Sequence, residues 1–272
     1  MKTVRFLIFC FTLSFNIVYG QEYRGVIHSK ANNTPIEYVN VGIIGKNVGT
    51  VSDINGNYAL QLDPQFDNDT LMFSCIGYYP SSVKVSDFKN RNNQNIFLKE
   101  RIFELAEVVV RPKSYKQKTM GVSTKSKIAQ AGFEENKLGY ECGIMMKHKE
   151  TAILETVNIN FSLCSYDTIF YRLNIYKVLG SLDFENILQN PIYLKLPKNM
   201  VGETVYIDLK QYNITVQGDF LVTLEHVKNL GSGKLFFCSG LSNKTYIRKT
   251  SQGTWETAPI GISVSVDAKI EK

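Results

Sequence analysis

The clearest pattern in the chain is an alternation of apolar and polar residues with a period of two. In residues 36–60, IEYVNVGIIGKNVGTVSDINGNYAL, Val39, Val41 and Ile43 fall on one side of a strand and Asn40 and Gly42 on the other. Gly45 and Asn47 supply positions where a left-handed backbone is cheap, and residues 48–52 make a second short strand. Asp53-Ile54-Asn55-Gly56 is turn chemistry, after which Tyr58 and Leu60 resume the alternation. Further on, residues 168–178 (TIFYRLNIYKV) alternate strictly, with Ile169, Tyr171, Leu173 and Ile175 opposite Phe170, Arg172, Asn174 and Tyr176. Short runs of this kind recur throughout, separated by Gly, Asn, Asp and Pro. They predict an all-β chain of two sandwiches, with one helical turn at 184–189 as the exception.

Five spaced motifs give the first half a family resemblance. Gly25-Val26-Ile27, the P-I-x-x-V-x-V run from Pro35 to Val41, and the G-T-x-S-D-x-x-G-x-Y run from Gly49 to Tyr58 come first. The strand Leu71 to Tyr78 and the L-x-E-V-V-V run Leu105 to Val110 follow in order. Residues 21–110 therefore resemble the carboxypeptidase regulatory-like domain. The resemblance implies a seven-stranded, Greek-key, transthyretin-like sandwich of the kind found N-terminal to TonB-dependent receptors in Bacteroidetes-type bacteria. It implies none of the zinc chemistry of carboxypeptidases. No plug and barrel follow here, because the remaining residues are far too few for a transporter barrel.

Residues 1–20 read as a signal peptide: Lys2 and Arg5 are positive, residues 6–15 are apolar, and Gly20 precedes the expected cleavage before Gln21. The apolar run is short for a span of about 20 residues, so no transmembrane segment is expected after cleavage. Phe9 is too large to precede a lipidated Cys10. The address is export, to the periplasm or the outer membrane. Export makes disulfides chemically available to Cys75, Cys142, Cys164 and Cys238, but each lies in an apolar strand context that suits a buried thiol.

Residues 111–131 form an expected basic linker, since Arg111, Lys113, Lys116, Lys118, Lys125 and Lys127 occur there before any acid. Residues 132–272 are expected to make a second sandwich of jelly-roll type, to which the runs around Tyr206, Tyr212 and Phe220 bear a looser resemblance. Trp255, the only tryptophan, is placed in a loop (SQGTWETAP), with Tyr246 and Arg248 as its companions in a candidate carbohydrate-binding site. Burial of Trp255 at one end of the core is the competing reading.

Catalytic signatures are sparse. The three histidines, His28, His148 and His226, form neither HxxE nor HExxH, and His148-Lys149-Glu150 places only two ligands on one strand face. Asp53 to Asn57 begins like a calcium loop, but Pro64 stands where the bidentate acid belongs. Gly231-Ser232-Gly233-Lys234 lacks the spacing of a phosphate loop. Glu134-Glu135 and Glu141 are acids of the type a glycosidase uses, yet isolated acids are ordinary surface residues. The sequence thus predicts no catalytic residues, no metal and no cofactor. It predicts a non-catalytic envelope scaffold that binds a protein partner, with a carbohydrate-binding module as the alternative, a hydrolase as a third option, and no nucleic-acid partner.

Overall fold

The computed structural model describes residues 20–102, 114–202, 204–241 and 243–272, and is nearly all β. Residues 1–19 of the expected signal segment and the E-V-V-V strand at 107–110 lie outside the described residues.

The first unit holds β1 (Gln21–Ser29), β2 (Asn40–Ile43), β3 (Gly49–Val51), β4 (Asn57–Leu62), β5 (Thr70–Ser74), β6 (Ser81–Lys84), the short helix α1 (Val85–Lys89) and β7 (Ile96–Leu98). Its seven strands form two sheets, β4-β1-β7 and β3-β2-β5-β6. All pairs are antiparallel except β1 with β7. Ile27, Val39, Val41, Phe73 and Phe88 are fully buried between the sheets, so the alternation in β2 maps directly onto the core. The turn chemistry also holds: the Asp53 carboxylate accepts the Asn55 and Asn57 amides at 2.8 Å each, and Gly56 takes φ +73.

The second unit begins with β8 (Tyr115–Gly121), β9 (Ala129–Phe133), β10 (Glu141–Met146), β11 (Thr151–Ile159), β12 (Phe161–Cys164) and β13 (Thr168–Gly180). It continues with β14 (Asp183–Asn186), β15 (Ile192–Pro197), β16 (Val205–Asp208), β17 (Thr215–Gln217), β18 (Phe220–Glu225) and β19 (Leu235–Gly240). The last strands are β20 (Thr245–Arg248), β21 (Trp255–Ala258), β22 (Gly261–Ile262) and β23 (Val264–Glu271). A seven-stranded sheet, β14-β13-β18-β10-β20-β21 with β15 also on β13, packs over a five-stranded sheet, β16-β11-β23-β8 with β17 on β11. A four-stranded sheet, β12-β19-β22 with β9 on β19, completes this unit.

Three expectations are corrected. Within the stretch read as a basic linker, Tyr115–Gly121 is a strand on the edge of the five-stranded sheet, paired residue for residue with β23. Its lysines suit that place, because Lys116 and Lys118 keep an exposed edge hydrated and guard it against foreign strands. The predicted helical turn at 184–189 is instead the hairpin partner of β13, which satisfies its backbone through Phe184, Glu185 and Asn186. Trp255 opens an edge strand, β21, rather than standing in a loop. Among the cysteines, Cys75, Cys142 and Cys164 are free thiols, and burial pushes the Cys75 thiol up to about 11.

The two units meet over a buried junction. Tyr38 and Val51 of the first pack against Val227, Leu138, Phe170 and Tyr193 of the second. Gly42 and Gly49 are cross-strand partners in β2 and β3, and the Ser251 carbonyl oxygen lies over both. A Cβ at either position would collide with that oxygen, so the close approach requires glycine twice. Gln252 seals the contact: its carbonyl accepts the Gly45 amide at 2.9 Å and its side-chain amide donates to Ser74 Oγ at 2.7 Å.

Gly49→Ala is therefore expected to lower the stability of the full chain by about 1–3 kcal/mol, the usual cost of overpacking. Gly202→Ala, where a Cβ meets nothing within 4 Å, should change the urea midpoint little. Equal midpoints for the two variants would refute the close-approach account.

Candidate functional site

The site grows out of the second face of the seven-stranded sheet. Strict alternation in β13 turns Tyr171, Leu173 and Ile175 into the core and leaves Arg172, Asn174 and Tyr176 on the opposite face. That face is not wet. Arg172 is 2% exposed and Asn174 1%, because the first unit lies against it. Strand register then aligns a row across the sheet: Arg172 opposes Glu225, Glu225 opposes Glu141, Glu141 opposes Arg248, and Arg248 opposes Trp255. Two carboxylates thus stand side by side with a guanidinium at each end.

Hydrogen bonds link the members of this row, while Glu225 Oε1 and Arg248 Nε find no partner among the described residues. Arg172 donates to Glu225 Oε2 through Nε at 3.1 Å and Nη2 at 2.8 Å. Its Nη1 donates to the Tyr38 carbonyl and its Nη2 to Asn40 Oδ1, both at 2.7 Å, and these two bonds cross from one unit to the other. Arg248 Nη2 donates to Glu141 Oε2 at 2.6 Å. Glu141 Oε1 accepts from Asn174 Nδ2 and Tyr176 OH, each at 2.8 Å, and from the Thr223 hydroxyl. Asn174 Nδ2 also reaches Glu225 Oε2 at 2.8 Å, which couples the two carboxylates.

The two acids titrate in opposite directions. Burial pushes Glu141 up, and Arg248 offsets this only in part while the neighbouring Glu225 charge adds to it. Burial pushes Glu225 up as well, but Arg172 and Arg248 together outweigh burial and hold it below the ordinary carboxylate range.

An aromatic cluster flanks the Arg248 end. The Arg248 guanidinium lies 4.9 Å from the Trp255 ring centroid, a cation–π contact. Phe184 sits 5.3 Å from Trp255 and 5.8 Å from Tyr246, edge-on to both. The structure thus brings the three predicted residues Trp255, Tyr246 and Arg248 together, with Phe184 as the bridge. Trp255 is half-buried, neither a free platform nor a core plug.

A cleft of about 420 Å³ opens between the units, with Arg172, Asn174, Tyr176 and Arg248 in its lining. Glu141 and Glu225 do not line it. Both acids bond within the row, so the geometry holds charge in place and offers neither acid to a molecule in the cleft.

The sequence reading missed Arg172, Glu225, Asn174 and Phe184, and took Glu141 for an ordinary surface acid, whereas it is fully buried. The available signal was ECGIMM and FLVTLE: single acids in otherwise apolar strands, opposite an arginine in a strictly alternating one. The histidines lie apart. His28 stacks on Phe97, and His226 is buried beside Tyr171, where desolvation lowers it to about 4. His148 and Glu150 do meet, 3.3 Å apart, but between β10 and β11 rather than along one strand. Glu134 and Glu135 are exposed on another surface. Among the described residues, no group of three His, Cys, Asp or Glu side chains is placed to hold a metal ion.

Opposite titration gives a signed test. Glu225 is held below 4.5, so its ionised form contributes stability above that pH, and the contribution is lost as pH falls through the folded value. Glu141 is held above 4.5, so its ionisation subtracts stability as pH rises from there. Urea midpoints measured across pH should show the cost of Glu225→Gln growing as pH rises toward 4.5, and the cost of Glu141→Gln shrinking as pH rises beyond it. Parallel trends would mean the assignment is wrong. Arg172→Met should cost about 3–5 kcal/mol at neutral pH, because it strands Glu225 without its partner.

Comparison with known proteins adds one assignment. No curated protein matches the chain. Among solved structures, the infectious bursal disease virus VP2 subviral particle is similar over 93% of this chain and 66% of that one, at 11% identity and a TM-score of 0.18. A mutant VP2 of the same virus, in T=1 particles, is similar over 93% and 64%, at 9% identity and a TM-score of 0.17. The chain spans less than two thirds of those proteins, and likeness at that level carries no argument. The CarboxypepD_reg-like domain family matches residues 23–110, the part of the chain that holds the first sandwich. Residues 23–110 are therefore a CarboxypepD_reg-like domain, a β-sandwich of a regulatory, non-catalytic type.

Proposed function

We propose that the protein is a non-catalytic, exported binding scaffold of the bacterial cell envelope, periplasmic or associated with the outer membrane, that engages a protein partner. The observation that carries this reading is the fate of the strongest polar cluster. Arg172, Glu225 and Glu141 are engaged in holding one sheet face together, and Arg172 ties that face to the regulatory-like domain. A catalytic site keeps its acids within reach of substrate, whereas these acids face one another and their partners. The charged signal segment and the domain type support export and a binding role.

Crosslinking in intact cells, followed by fractionation and mass spectrometry, tests the proposal. Recovery of one envelope protein joined to this chain, with the crosslink mapped to a face of either sandwich, is the expected result. Recovery of the chain alone in the soluble fraction would count against it.

The cluster of Trp255, Phe184, Tyr246 and Arg248 favours a second reading, a carbohydrate-binding module, because half-buried rings beside a guanidinium can stack on a sugar face. Trp255→Ala separates a ligand platform from a packing residue. In a glycan-binding module it abolishes glycan binding and leaves the thermal midpoint near wild type. In a purely structural role it costs about 3–5 kcal/mol and changes no ligand.

A further inference from the structure

The cleft between the sandwiches has a lining that its structural role does not explain. Two guanidinium side chains of the charged row, Arg172 and Arg248, contribute to it, each paired with a carboxylate outside the lining, and one acid, Glu185, stands among the lining residues. Glu185 is itself offset by Lys177 at 2.6 Å. Arg172 is fully committed, with Nε, Nη1 and Nη2 all bonded within the protein. Arg248 is not. Its Nη2 serves Glu141 and, at 3.4 Å, Tyr176, while its buried Nε–H has no hydrogen-bond partner among the described residues.

Apolar side chains line the cleft as well. Met72, Ile76 and Pro80 stand on the side of the regulatory-like domain, and Leu179, Phe184 and Leu188 on the other. Leu179 is 55% exposed near the end of β13, an apolar side chain in the cleft lining. A guanidinium that is not fully bonded favours an oxyanion over a neutral acceptor. Apolar lining residues select a compact hydrocarbon group, and about 420 Å³ admits both in one small ligand.

We infer that the interdomain cleft binds a carboxylate joined to a compact apolar group, with Arg248 facing the carboxylate and Leu179 and Phe184 covering the apolar part. That chemistry has two sources, the C-terminus of a peptide ending in an apolar residue and a free apolar monocarboxylic acid. The inference goes beyond the scaffold reading and does not depend on it, since crosslinking can fail to find a protein partner while the cleft still binds a small acid.

Calorimetric titration of the full chain decides the matter with three probes: acetyl-alanyl-leucine as the free acid, the same peptide as its C-terminal amide, and isocaproic acid. Saturable binding of the free-acid peptide or of isocaproic acid is expected, with the amide weaker by about tenfold or more, because it lacks the charge that a guanidinium recognises. Binding by the peptide alone assigns the cleft to a peptide C-terminus. Equal binding by isocaproic acid assigns it to a free acid. Leu179→Asp places a negative charge on the exposed rim, outside the buried row, and should weaken binding by about tenfold at an unchanged thermal midpoint. The inference is overturned if neither acid binds at millimolar concentration, if the amide binds as well as the acid, or if Leu179→Asp leaves affinity unchanged.

Discussion

Arg172 carries a full positive charge into a position only 2% exposed, and much of the architecture follows from how that charge is met. Removing an ion from water costs several kcal/mol even after relaxation, so a buried guanidinium needs a carboxylate and nearly complete hydrogen bonding. Glu225 supplies the carboxylate from the neighbouring strand, and Tyr38 and Asn40 supply the remaining acceptors from the other sandwich. Tyr38 adopts φ +52, a left-handed conformation that is uncommon for a bulky residue, in the segment where its carbonyl meets the guanidinium. Its ring is held by Phe170 and Tyr193, with centroids 5.1 and 5.4 Å away. One charge therefore links strand register in the second unit to backbone conformation in the first.

The remaining charges follow from the same constraint. Placing Glu225 beside Arg172 puts it next to Glu141, and two adjacent buried carboxylates repel unless further cations or protons intervene. Arg248 provides the second cation, while Asn174, Tyr176 and Thr223 donate to Glu141 from the same face. The row has a neutral formal sum, two guanidiniums and two carboxylates. Desolvation is thereby spread over a network of mutual bonds rather than borne by an isolated pair.

How much of this was legible in the sequence varied with the range of the interaction. Local rules located β2 and the Asp53 turn, because alternation and side-chain-to-backbone bonding are settled within a few residues. They also sorted β13 into its two faces. They did not say that the face carrying Arg172 and Asn174 would be dry, since its cover comes from Tyr38 and Asn40, more than 130 positions away in sequence. The lysines of 115–121 read as a solvated linker because an edge strand exposed along nearly its whole length has almost the composition of a linker. Trp255, Tyr246 and Arg248 were grouped by proximity in the chain, and pairing of β20 with β21 brings them onto one face. Phe184 reaches the same cluster from β14 and had no local signal at all.

The glycine pair at Gly42 and Gly49 and the charged row share one consequence for assembly. Neither can form while the sandwiches are incomplete: the row requires β13, β18, β10 and β20 already in register, and the Ser251 carbonyl must arrive on a finished β2–β3 hairpin. Contacts that span more than 130 residues carry more loop-closure entropy than the pairings within either unit. Without the N-terminal sandwich, Arg172 would lose its acceptors on Tyr38 and Asn40 and this band of paired charges would face water; with it, the band is interior.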